Sequence, residues 1–162
     1  MSDLASHPSE SFPRATARTA GFSRGAPRSF ALDPAGDRAL FLRSRGGTDA
    51  VACLWLLDLA SGKETLVADP LALLGSADER LTPEEAARRE RLREKARGVV
   101  AYATDDDVTV AAFPLSGRLF LATLGGSPSV RELPAVGAVA DPRPDPAGKR
   151  VAYVADGGLH VV

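Results

Sequence analysis

The chain has 162 residues, enough for one domain with a real core, since a domain of this size buries roughly 70% of the surface its unfolded chain exposes. Its 20 Lys and Arg against 21 Asp and Glu leave a formal charge of −1, so no global field steers nucleic acid or an anionic membrane, and neither is expected as a partner. No apolar stretch of signal-peptide length follows basic residues at the N-terminus, and no run approaches the length of a membrane span, which makes a cytoplasmic protein the expectation.

Residues 1–27 are rich in Ser, Pro, Ala and Arg, with Pro8, Pro13 and Pro27 and no hydrophobic period that would bury a face, so they read as a mobile lead-in. From residue 28 onward, short apolar runs alternate with turn signals. Asp33-Pro34-Ala35-Gly36 is followed by the charged pair Asp37-Arg38 and the apolar strand Ala39–Leu42. Asp145-Pro146-Ala147-Gly148, Lys149-Arg150 and Val151–Val154 repeat that pattern position for position. The turn chemistry is physical: Pro presets φ at the first corner and Gly supplies the conformation that closes the turn. Between these copies lies a degenerate one, Thr104-Asp105-Asp106-Asp107 before Val108–Phe113 and then Gly117–Leu124, which lacks both the Pro and the Gly.

The first copy continues through Leu54–Leu59, a turn at Ala60–Lys63 and Glu64–Val67, which is a hairpin. Second and third copies are about 40 residues apart, close to one four-stranded propeller blade, while the first and second are about 72 apart. The pattern predicts an all-β fold, a partial β-propeller of about three blades. The excess length falls in an insertion, residues 75–97. Thr82 as N-cap, Pro83 at the first helical position and Glu85 three residues after the cap predict a helix over 82–97, with Gly98 as its C-terminal cap. Glu84 to Arg88 and Glu85 to Arg89 stand in the favourable i,i+4 order. This helix has almost no apolar face. Sequence leaves two readings open, a solvated surface helix and a rim of arginines facing an anionic or carbonyl-bearing ligand.

The Leu81–Glu94 segment with its Arg89-Glu90-Arg91-Leu92-Arg93 run, followed by Gly98-Val99-Val100-Ala101-Tyr102 and Phe113–Leu121, resembles the first propeller blades of the dipeptidyl peptidase IV branch of the prolyl oligopeptidase clan (family S9). The resemblance implies an eight-bladed N-terminal propeller over a C-terminal α/β-hydrolase domain, a serine-type peptidase that releases N-terminal dipeptides with Pro or Ala second. The propeller would gate and position the peptide substrate. It also implies that an arginine before the Gly-to-Tyr strand holds the substrate's backbone carbonyl: Arg93 is the first choice and Arg91 the reserve. A homo-oligomer is compatible with it, and no cofactor or metal is implied.

Departures from that family bound the expectation. Glu84 and Glu85, in the first helical turn, are not its paired amino-terminus-binding glutamates, and no G-x-S-x-G elbow occurs, so a serine acyl-transfer mechanism cannot run in this polypeptide. Leu159–Val162 stops where the first copy would continue, which makes the chain read as a truncated propeller lacking its hydrolase domain, inactive alone and with uncovered sheet faces prone to aggregation. Ser61, Ser116, His7 and His160 read as turn, lead-in or strand residues rather than catalytic ones. Cys53 reads as a buried small hydrophobe. The alternative function is a non-enzymatic propeller serving as a protein-interaction platform.

Overall fold

A computed structural model describes residues 10–75, 79, 81, 83–91 and 93–162, with the side chains of Glu84 and Arg88 left outside that description. The strands form three sheets. In the first, β1 (Arg28–Leu32), β2 (Arg38–Ser44), β3 (Val51–Asp58) and β4 (Glu64–Ala68) run as an antiparallel meander, and the short β5 (Arg97–Gly98) adds in parallel to the start of β3. The second sheet is the meander β6 (Ala103–Thr104), β7 (Val110–Leu115), β8 (Arg118–Thr123) and β9 (Ser129–Leu133). The third is β10 (Ala140–Pro144), β11 (Val151–Ala155) and β12 (Gly158–Val161). The all-β, propeller-like arrangement expected from the repeat is therefore present.

One aspartate builds the same turn three times. Asp33 Oδ1 accepts from the backbone N–H groups of Asp37 and Arg38 (2.8 and 3.0 Å). Asp105 Oδ1 does so from Thr109 and Val110 (2.8 and 2.9 Å), and Asp145 Oδ1 from Lys149 and Arg150 (2.6 and 3.1 Å). These bonds to the charged form lower the carboxyl pKa of Asp33 and Asp145, with the Arg38 and Arg150 amides as the leading causes. The degenerate second copy keeps the turn because the aspartate does the bonding. Val108 takes the corner that Gly36 and Gly148 occupy elsewhere, at φ 52°, a conformation that costs a β-branched residue energy and that its burial helps to offset.

Period-2 alternation assembles the core. From the middle sheet, Ala111, Phe113, Leu115, Phe120, Ala122 and Leu124 pack against Leu40, Leu42, Leu54 and Leu56 of the first. The intervening Ala112, Leu119 and Leu121 face Val139, Val151, Tyr153 and Ala155 of the third. The middle sheet is thus covered on both faces, which is why β7 reads as an almost unbroken apolar run. Ser116-Gly117 and Asp156-Gly157, both at positive φ, close two-residue hairpins whose twist suits the flanking strands.

Within the segment read from sequence as a mobile lead-in, residues 12–18 form helix α1 (Phe12–Arg18). Pro13 sits in its first turn, Arg18 pairs with Glu10, and Phe22 turns back to lie 6.0 Å from Phe12. His7 lies outside the described residues.

Candidate functional site

The insertion leaves the first sheet at the end of β4 and returns to it at β5. Asp69 caps α2 (Pro70–Leu73), its Oδ1 accepting from Leu71 N–H at 3.1 Å, and Arg45 pairs with its other oxygen. Helix α3 (Pro83–Arg91) follows; its expected N-cap Thr82 lies outside the described residues. The helix is shorter than the 82–97 expected from sequence. Arg93 donates its N–H to Glu90 O (3.0 Å), Glu94 donates to Arg89 O (2.8 Å), and Arg93 takes φ 53°. This pair of bonds closes the helix with Arg93, not Gly98, in the left-handed capping position.

Gly98 has another task. Its φ of +78° and its approach to β3 would place a Cβ 2.6 Å from Ala52 O and 2.7 Å from Pro70 Cγ, so only glycine fits where the chain rejoins the sheet. Of the strand expected over Gly98–Tyr102, only Gly98 lies in a strand, as the last residue of β5. The rest is drawn across to β1. The Tyr102 hydroxyl sits between the carbonyls of Ser29 and Leu40 (2.5 and 2.9 Å), at the bulge where Ser29 has φ 53°, and burial raises its pKa well above the ordinary phenol value.

Arg89 holds the insertion down. It donates to Glu85 Oε1 (2.8 Å) and Glu79 Oε1 (2.6 Å), with the Arg89 and Glu79 side chains each 9% exposed, while Glu79 Oε2 accepts from Gly98 N–H (2.8 Å). Burial alone would lower the guanidinium pKa; the bonds to the two glutamates outweigh it and raise the value. Glu85 thus serves as an ion-pair partner, the i,i+4 pair the sequence suggests. The link to Glu79, ten residues before Arg89, was not readable from the spacing.

A cavity of about 340 Å³ opens between the segment after α1, the end of β2 with its following loop, and residues 93–96. Arg24, Arg28, Arg43, Arg93 and Lys95 line it, with Asp49 and Glu94 as its acids. Of the two arginines singled out from sequence, the structure puts Arg93 on the cavity wall, while Arg91 is exposed on α3 and is not among the lining residues. Both arginines lack an ion pair among the described residues, unlike Arg89. Arg28, which the sequence reading did not single out, reaches Glu94 across the cavity (Nη1 to Oε2, 2.6 Å).

Other residues weighed from sequence have structural places. Cys53 is fully buried, and burial pushes its thiol up to about 11. His160 stacks on Tyr153 at 5.3 Å with Nε2 3.2 Å from Ala155 O. Ser61 caps a turn by bonding Asp58 Oδ1. Among the described residues no group of three His, Cys, Asp or Glu is placed to hold a metal ion, and no helix is long and apolar enough to cross a membrane.

Successive antiparallel meanders stacked face to face, each opened by the same aspartate turn, define a propeller-like class of fold. The chain is similar in structure to a solved prolyl endopeptidase, with a TM-score of 0.50 and 18% identity over 87% of this chain and 19% of that one. TolB from Acinetobacter baumannii is similar at a TM-score of 0.33 and 13% identity, over 85% of this chain and 40% of that one. No family model matches the sequence. The prolyl endopeptidase likeness bears on the fold alone, and the chain spans about a fifth of that protein's length.

Proposed function

We propose that this chain is propeller sequence of a dipeptidyl-peptidase-IV-like serine peptidase, acting in the cytoplasm. It would gate and position a peptide that a separate α/β-hydrolase domain cleaves after the second residue, Pro or Ala. One observation carries this reading: Arg93 stands on the wall of a cavity of about 340 Å³, its backbone fixed by the closing bonds of α3 and its guanidinium without an ion pair among the described residues. A guanidinium so placed can donate to the backbone carbonyl of an entering peptide, and the rigid helix end keeps the ordering cost of that contact low. Arg91, exposed two residues earlier, is the reserve donor.

The reading frame past Val162 tests the assignment. Paired glutamates followed by a G-x-S-x-G elbow support it, and a stop codon with neither overturns it. In a protein carrying that elbow, Arg93→Ala should lower kcat/KM for a Gly-Pro chromogenic substrate by roughly 10- to 100-fold, the scale of one charge-assisted hydrogen bond. A value unchanged in Arg93→Ala but lowered in Arg91→Ala moves the role to Arg91. A second reading, a non-enzymatic interaction platform, is favoured by the outer face of the third sheet, where Leu159 is 75% and Val161 62% exposed.

A further inference from the structure

We propose that copies of this chain associate head to tail, the outer face of the first sheet in one copy packing on the outer face of the third sheet in another. This concerns the 162-residue chain itself and does not rest on the peptidase reading. The chain makes such a contact twice internally. Phe41, Phe113 and Tyr153 hold the same place in the repeat, eight residues after Asp33, Asp105 and Asp145. Phe113 packs with Leu40, Leu42, Leu54 and Leu56 of the sheet before its own, and Tyr153 with Ala112, Leu119 and Leu121 of the sheet before its own. In both contacts the aromatic face of one sheet lies on the aliphatic face of the preceding one.

The two faces left over are the two halves of that contact. Phe41 lies outside the core shared with the middle sheet, on the opposite face from Leu40 and Leu42, beside its cross-strand neighbour Trp55 and 5.8 Å from Phe30. Phe30 stands three residues before Asp33, as Tyr102 stands three before Asp105. Tyr102 is drawn onto the sheet before its own, its hydroxyl 2.9 Å from Leu40 O, whereas Phe30 and Leu32 are each 61% exposed. On the third sheet, Ala152 and Val154 follow Asp145 at the distances at which Leu40 and Leu42 follow Asp33. Their cross-strand neighbours are Val161 and Leu159, and Val154, Leu159 and Val161 are exposed. An exposed aromatic face and an exposed aliphatic face thus sit on one chain, matched as its own sheets are matched, and the occupant that supplies both is a second copy.

Charge does not oppose the contact. The formal charge is −1, and Arg43 and Arg143 beside the two faces are paired within their own sheets, with Glu64 and Asp141. The third sheet has three strands, so the contact is smaller than the internal ones, and association costs translational freedom; a dissociation constant of roughly 10–100 µM is expected. At low-micromolar concentration the single chain predominates and the third sheet's outer face is open. Each copy carries one face of each kind, so the contact is heterologous.

Sedimentation of the full chain from about 2 to about 500 µM, a span that brackets that constant, tests the proposal. The weight-average mass should rise from one chain to two or more. Phe30→Glu and Leu159→Glu, both at exposed positions, should each weaken association at least about tenfold while leaving the low-micromolar thermal midpoint unchanged. Mixed in equal amounts, the two variants should associate again and stop at two chains, because Leu159→Glu keeps an intact first-sheet face and Phe30→Glu an intact third-sheet face. Where either variant misfolds, Leu32→Glu and Val161→Glu take their places. A single chain at every concentration overturns the proposal and leaves the faces to a different partner. Association that survives Phe30→Glu also overturns it, since third sheets would then meet each other, and so does a mixture of the two variants that stays dissociated. None of these outcomes alters whether Arg93→Ala affects peptide cleavage.

Discussion

The three sheets and the insertion between the first two are stabilised by different means. The sheets are held by redundancy: the aspartate turn recurs at 33, 105 and 145, and alternating apolar residues bury both faces of the middle sheet. The insertion is held at single points, with Arg89 clamped by two glutamates and Gly98 admitted against Ala52 O. A repeat can lose one copy's proline and glycine and still fold; a tether fixed by one buried cation has no second copy to fall back on.

The largest expected effect is on the repeat side. Phe113 is fully buried and stacked on Phe120 at 5.7 Å, so Phe113→Ala should cost about 3–5 kcal/mol of global stability in chemical denaturation. Leu159, exposed on the third sheet, should cost no more than about 0.5 kcal/mol on the same change. Equal costs would mean that the third sheet's outer face is covered in solution, which breaks the contrast between middle and outer sheets.

On the insertion side, Arg89→Met keeps the stem but strands the Glu79 and Glu85 carboxylates among buried groups, a loss of about 3 kcal/mol for a broken buried pair. The loss should be local. Glutamyl-specific proteolysis should cut within 79–94 well before the sheets unfold, whereas Phe113→Ala should expose all sites together. Unchanged protection of 79–94 in Arg89→Met would show that the clamp is not what tethers the insertion.

The same division explains what the sequence made legible. Asp-Pro-Ala-Gly announces two of the turns, and Asp105 alone preserves the third, because the carboxylate accepts the two amides whatever fills the corner. The strands on the apolar runs follow from alternation. β10 does not: Pro142 and Pro144 argue against a strand, yet Ala140–Pro144 pairs with β11 around a bulge at Asp141, which has φ 45°. The end of α3 was misplaced for a tertiary reason. Arg97 and Gly98 are taken by β3, Arg97 N–H donating to Ala50 O at 2.8 Å, and the chain before them must leave the helix to get there. Of the residues lining the cavity, Arg93 was named only through the family resemblance; Arg28 lies 66 residues before its partner Glu94, and no local spacing connects them.

The smallest effect separates the two means of stabilisation by pH. The lowered pKa values of Asp33 and Asp145 mean that their turns contribute stability above the unfolded aspartate value of about 3.9, and that this contribution disappears as pH falls through the lower folded value. Arg89, whose pKa is raised from a value already far above neutrality, stays charged throughout the same range. Thermal midpoints measured from pH 7 down to about 2.5 should therefore fall below pH about 4 in the wild type. In Asp33→Asn/Asp145→Asn the midpoint should start lower at pH 7 and fall less steeply, since two of the carboxylates that must be protonated are gone; Glu64 and Glu132, lowered by Arg43 and Arg118, keep the slope from vanishing. Parallel curves for the two proteins would remove the charge from the aspartate turns and leave their hydrogen-bond geometry as the whole of their contribution.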